Sequence, residues 1–216
     1  MKHYISSCSR LYDNRVTVNG RLVFYQENIH TFADFIKTAY RQEQISYPKF
    51  FKMDALSKLG FLAAELALKE TETRLYQPES VGVVFANSSS SLDTDIAHQA
   101  TINDRAAYFP SPSVFVYTLP NIVIGEVCIR HGFKGENAFL ISEAFDAKLL
   151  YEYVDGLFSS GRSKACLAGW IEVMGNRCNA MVVFIEPGEP GTEPGMPGFG
   201  RLEFNEKNLQ TLMETN

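Results

Sequence analysis

Residues 139–173, FLISEAFDAKLLYEYVDGLFSSGRSKACLAGWIEV, constrain the fold more than any other stretch of the chain. An apolar run ends at Ser142 and is followed by Glu143 and Asp146, acids placed where a helix dipole favours negative charge. The pattern predicts a strand feeding a helix whose first turn holds those acids. Phe145, Leu149 and Tyr153 recur at helical spacing beside Leu150, Val154 and Leu157, while Lys148, Glu152 and Asp155 leave only a narrow polar stripe. The helix is therefore expected to be mostly buried. Ser159, Ser160 and Gly161 end it, and the run CLAGWI within 164–173 has the unbroken apolar character of a strand covered on both faces.

The rest of the chain supports a globular reading. It has 216 residues, 45% hydrophobic and 21% charged, which suits one domain with a sizeable core. A net charge of −5, with no run of Lys and Arg, argues against a nucleic-acid surface. No apolar segment reaches the length of a membrane span, and the opening MKHYISSCSRLYDN is too polar for a signal peptide, so a cytoplasmic protein is expected. Cys8, Cys128, Cys166 and Cys178 lack zinc spacing and sit in apolar neighbourhoods, which predicts buried free thiols and no metal site.

Taken in order, His3 to Leu11 reads as a first strand and Asp13-Asn14 as a turn. Phe32, Phe35, Ile36 and Tyr40 give a short amphipathic helix between Thr31 and Arg41, with His30 a surface or capping residue before it. Asp54 can cap a helix whose core face is Leu56, Leu59, Ala63 and Leu66. Ser80 to Asn87 reads as a buried parallel strand. The polar SSSSLDTDIAHQ that follows lacks the glycines of a phosphate loop and is read as a solvated loop opening a helix near Asp93, with Asp95 and His98 spaced for contact. A helix from Asn121 to about His131 stops at Gly132, and the chain turns into a strand at Ala138. Gly175-Asn176-Arg177 predicts an antiparallel hairpin between the CLAGWI strand and a final strand at Ala180 to Glu186. Repeated Pro and Gly make 187–200 a tether, and Leu202, Phe204, Leu209 and Leu212 give 201–216 a modest amphipathic face, equally open to docking or fraying.

The run SPSVFVYTLPNIVIGEVCIRHGFKGEN, with Asn121, Gly125, Ile129, Gly132, Gly135 and Asn137 in register, resembles the Pro-Asn-x-x-x-Gly and Gly-x-x-Gly-Pro-Asn pattern of the β-ketoacyl synthases. The strand SVGVVFAN and the strand-helix-strand stretch at 139–173 resemble the same family, condensing enzymes of the thiolase superfamily. The resemblance covers about 1–186, a thiolase-like half, and implies an α/β fold with a mixed sheet of about five strands and helices on both faces. In that family a Thr-Ala-Cys-x-Ser type turn places the nucleophilic Cys at the helix opening. Ser142-Glu143-Ala144-Phe145 stands there in this chain, so the nucleophile's position is Phe145. The family's second half, with its catalytic His residues, has no match either, and His3, His30, His98 and His131 fall on none of the corresponding elements.

The resemblance thus implies a scaffold with no catalytic residue of its own and no cofactor. Ser142, Phe145, Leu149, Asn121 and Phe139 are the candidates for a pocket or interface. An isolated half is expected to expose the apolar side of the Phe145 helix until a partner covers it. Three roles are open. The chain could be an accessory subunit like a chain-length factor, in fatty-acid or polyene-type polyketide synthesis, paired with a ketosynthase subunit or an acyl carrier protein. It could form part of the pocket of a ketosynthase assembled across chains. Or it could be an acyl-binding module that pairs with a second copy of itself.

Overall fold

The computed structural model describes residues 2–106, 108–188 and 200–215. The strands are β1 (His3–Tyr12), β2 (Arg15–Val18), β3 (Arg21–Tyr25), β4 (Val81–Asn87), β5 (Asn137–Ile141), β6 (Ala165–Met174), β7 (Arg177–Pro187) and β8 (Leu202–Glu203). The helices are α1 (Phe32–Gln42), α2 (Ala55–Leu68), α3 (Leu92–Ala100), α4 (Pro112–Phe115), α5 (Ile122–His131), α6 (Ala147–Ser159) and α7 (Glu206–Glu214), with short 3-10 turns between some of them.

All eight strands form one mixed sheet in the order β3-β2-β1-β7-β6-β4-β5, with β8 joining β1. β4 runs parallel to β5 and β6, and the remaining pairs are antiparallel. The expectation of about five strands is corrected by the β2-β3 hairpin and by β8. Asn19 and Gly20, at φ 52° and 75°, supply the positive backbone angles that a tight hairpin turn needs. β7 is likewise not the final strand.

Alternation along the strands sends side chains into two cores. Val83, Phe85, Leu167, Ile171 and Phe184 meet α1, α2 and α5 on one face. Val84, Ala168, Met181, Val183 and Ile185 meet α6 and α7 on the other. The result is three layers, helices on both faces of the sheet, as expected. Asp54 caps α2 by accepting from the Ser57 N–H, and Gly132, at φ 73°, closes α5 in the left-handed region that favours glycine. Gly169 is where β6 and β7 lie too close for any side chain: a Cβ there would collide with the Met181 carbonyl oxygen.

The second layer differs from expectation. α6 buries Ala147, Leu150, Val154, Leu157 and Phe158 and turns Lys148, Glu152 and Tyr153 to solvent, so it is half-buried rather than mostly buried. Its apolar side is not left bare. Leu209 of α7 is fully buried, and Phe204, Leu202, Leu212 and Met213 pack into the same core. Phe204 meets the rings of Tyr151 and Phe158 at 5.1 and 6.3 Å. The C-terminal segment therefore docks, and it covers what an isolated half was expected to expose. The tether assigned to 187–200 lies outside the described residues except for Pro187, Gly188 and Gly200.

Candidate functional site at the opening of α6

The α6 opening is built by β5, which delivers the chain to Ser142, and by Asp146, which starts the helix. Asp146 is the N-cap: its Oδ1 accepts from the Leu149 N–H at 2.9 Å, and Ala147 is the first helical residue. Glu143 and Asp146 thus lie before the first turn rather than within it. Ser142 is not the cap; its N–H donates to the Asn87 carbonyl and its Oγ donates to the Ala144 carbonyl at 2.8 Å. Phe145 is the residue immediately before the cap. Its half-buried ring packs into the α6 core, edge-on to Trp170 of β6 with centroids 6.1 Å apart.

Around this opening is a groove of ≈ 850 Å³ lined by 142–148 on one side and by Glu206, Lys207 and Gln210 of α7 on the other. The Lys148 ammonium is engaged with Glu152 at 3.6 Å, one turn along α6. No catalytic constellation converges there. Nucleophilic chemistry needs an activated nucleophile beside a base, and the Ser142 hydroxyl donates to a backbone carbonyl, with no base bonded to it among the described residues. His3 stacks on Phe158 near the far end of α6, and His131 meets Glu65 at 2.6 Å on the opposite face of the sheet. His98 lies by the Phe115 ring, with no bond to Asp95 among the described residues, and His30 is exposed before α1.

The thiols are equally unsuited. Burial pushes Cys8 up to about 12, Cys178 up to about 12 and Cys128 up to about 11, and raises Cys166 further still. None is a thiolate at neutral pH. No group of three or more metal-ligating side chains occurs among the described residues.

The other candidates are dispersed. Leu149 follows Phe145 by one turn and is half-buried on α6. Phe139 faces the other core, on the α5 side of β5. Asn121 is exposed at the start of α5, where its carbonyl accepts from the N–H groups of Ile124 and Gly125. The structure brings Ser142 and Phe145 together and sets Asn121 and Phe139 apart from them. It also joins three residues that spacing alone did not connect. Glu172, near the end of β6, accepts from the Ser88 N–H and Oγ at 2.7 Å each and from the Ser89 N–H at 3.2 Å. The carboxylate fastens the loop after β4, and the polar SSSS run beside a strand-borne acid was its only sequence signal.

No protein-family profile and no curated protein matches the chain. Solved structures do. The ishigamide ketosynthase/chain length factor aligns with 91% of this chain and 65% of its own at 17% identity, with a TM-score of 0.66. The chain has the thiolase-like ketosynthase fold. A type II polyketide synthase acyl-carrier protein in complex with its hexaketide-bound ketosynthase gives a match at 14% identity and TM-score 0.57, over 86% of this chain and 62% of that one. A ketosynthase in complex with its chain length factor, from Xenorhabdus doucetiae, matches at 12% identity and TM-score 0.57. That alignment takes in 99% of this chain and 90% of the other, so the two are of nearly equal length. The first two matched chains are longer: this chain spans less than two thirds of each. In this ketosynthase fold, β5 and α6 form a strand and helix with an aromatic residue at the junction.

Proposed function

We propose that the chain is a non-catalytic accessory subunit of the chain-length-factor type, acting in the cytoplasm in fatty-acid or polyene-type polyketide synthesis. The observation that carries this reading is Phe145. The ring occupies the residue before a capped helix fed by a sheet strand, the place where the resembling enzymes carry their nucleophilic sulfur, and a benzyl group forms no thioester. The four histidines lie away from that point, and the four thiols are held protonated by burial, so neither can take over the chemistry.

The partner in this reading is a ketosynthase subunit that brings the cysteine and histidines, with an acyl carrier protein delivering the growing chain. A matched chain of nearly this length from a ketosynthase–chain length factor complex supports it. The test is co-purification of the tagged chain with the products of neighbouring genes, to see whether a ketosynthase and an acyl carrier protein are among them, followed by a condensation assay of the mixture. The expected result is a stable complex whose activity requires both chains and is abolished by removing the ketosynthase's cysteine, not by changing Phe145. Absence of any complex, or condensation by this chain alone, overturns the proposal.

A further inference from the structure

Another cavity, of ≈ 640 Å³, opens at the far end of α6, where β1 begins, β7 ends and the chain turns from α6 into β6. α6 has 13 residues, so this cavity lies about 20 Å from the groove at Phe145. Its volume falls in the range of small-molecule sites, about 300–1,000 Å³. His3, Tyr76, Asp155, Phe158, Lys164 and Pro187 line it.

Backbone bonds set its walls. Gly161, at φ 71°, turns the chain out of α6, its own N–H on the Phe158 carbonyl and the N–H groups of Arg162 and Ser163 on the Leu157 carbonyl. The Lys164 N–H then donates to the Ser80 carbonyl, which fixes the root of the Lys164 side chain. The His3 ring stacks on Phe158 with centroids 3.8 Å apart and 9° between the planes, and no second ring meets it among the described residues. Burial holds His3 below the ordinary histidine value, so at pH 7 it is a neutral plane rather than a charge.

The carboxylates near the cavity are already engaged. Glu186 accepts from the Tyr76 hydroxyl at 2.9 Å and from Arg201 at 3.1 Å, and Asp155 accepts from the Ser159 hydroxyl at 3.4 Å. Lys164 makes no ion pair among the described residues, whereas Lys2, Lys49, Lys69, Lys134 and Lys148 each meet a glutamate. The cavity thus offers one unpaired cation beside aromatic walls. We propose that it binds a small aromatic monocarboxylate, with the carboxylate on the Lys164 ammonium and the ring against His3 and Tyr76. One ammonium matches one carboxylate through a charge-assisted bond, and the Asp155 carboxylate in the same cavity disfavours a phosphate dianion by like-charge repulsion. A flat ring can stack on these planes, which an aliphatic acid cannot do. The site stands independently of the accessory-subunit reading.

The experiment titrates the full chain with 2-naphthoate, read by calorimetry and by the shift of the His3 ring signals in NMR. Saturable binding of one molecule per chain is expected, with the His3 signals moving. Three probes dissect the chemistry: 2-naphthol, which keeps the rings without the charge, octanoate, which keeps the charge without the rings, and inorganic phosphate. Each is expected to bind at least tenfold more weakly. Lys164→Ala, at an exposed position, should weaken 2-naphthoate at least tenfold with unchanged circular dichroism, Lys164→Arg should retain it, and Lys148→Ala at the other groove should leave it unaltered. No saturable binding to the wild-type chain overturns the site, as does binding that ignores Lys164→Ala or leaves the His3 signals in place. Octanoate or phosphate binding as tightly as 2-naphthoate overturns the ligand class.

Discussion

The Phe145 ring meets Trp170 edge-on, its plane turned 82° from the indole. This contact joins the start of α6 to the centre of the sheet, and Trp170 is the chain's sole tryptophan. An edge-on aromatic pair contributes about 0.5–1.5 kcal/mol beyond its area. Phe145→Ala is expected to destabilise the protein by about 2–4 kcal/mol, combining the lost pair with the lost burial. Tryptophan emission would shift to the red, and urea unfolding would give the free energy. Phe145→Cys restores a sulfur without a base; mass spectrometry with an acyl thioester donor should find no acylation above that of a free surface thiol.

Leu209 is the anchor of α7. Replacing it by Ala removes a fully buried side chain and is expected to cost about 2–5 kcal/mol. Leu209→Asp should release the helix outright. Hydrogen exchange would then show lost protection across 201–215 and across the buried face of α6, with α1 and α2 unchanged.

At Gly169 the cost comes from contact rather than from a cavity. Gly169→Ala drives a methyl into the Met181 carbonyl, between strands that cannot separate without breaking the β6-β7 ladder. A loss of about 3 kcal/mol, at the upper end for overpacking, is expected in thermal or urea unfolding. Gly156→Ala, where a Cβ meets open space on α6, should be neutral or slightly stabilising.

Glu65 sets a pH dependence. Burial opposes its ionisation, but hydrogen bonds and charge from His131 and Arg130 outweigh burial and hold the carboxyl below its usual range. A carboxyl depressed by folding contributes stability above its unfolded value of 4.5, and that contribution is lost as pH falls through the lower folded value. Stability should therefore decline from about pH 5 downward, and Glu65→Gln should flatten the part of that decline due to this group, as measured by urea unfolding across pH 3–6.

Much of the fold was legible because its signals are local. Asp54 before an apolar helix, Gly132 after one, and Gly175 between two strands each set their own backbone. Asn19-Gly20 carries the same kind of turn chemistry, yet the β2-β3 hairpin was not expected, because the short strands beside it carry little apolar pattern. What could not be read was distant. Tyr153 stands at helical spacing with Phe145 and Leu149 yet is exposed, because no element among the described residues covers that side of α6. Leu209 closes over α6 from fifty residues further along, and no periodicity within α7 names that target. The candidate site divides in the same way. Phe145 at the mouth of a helix followed from the family resemblance, whereas the exclusion of Phe139 depends on which face of β5 it takes, and the bond from Ser88 to Glu172 crosses two elements.

β1 draws two of its neighbours from segments distant in sequence. Its first residues pair with β8 and with the end of β7, so the sheet cannot close around β1 until segments far along the chain have reached it. Such a chain gains little by folding while it is being translated. Its assembly should be slow and dominated by the closing of very large loops, and nascent β1 is a strand that chaperones must keep from pairing elsewhere.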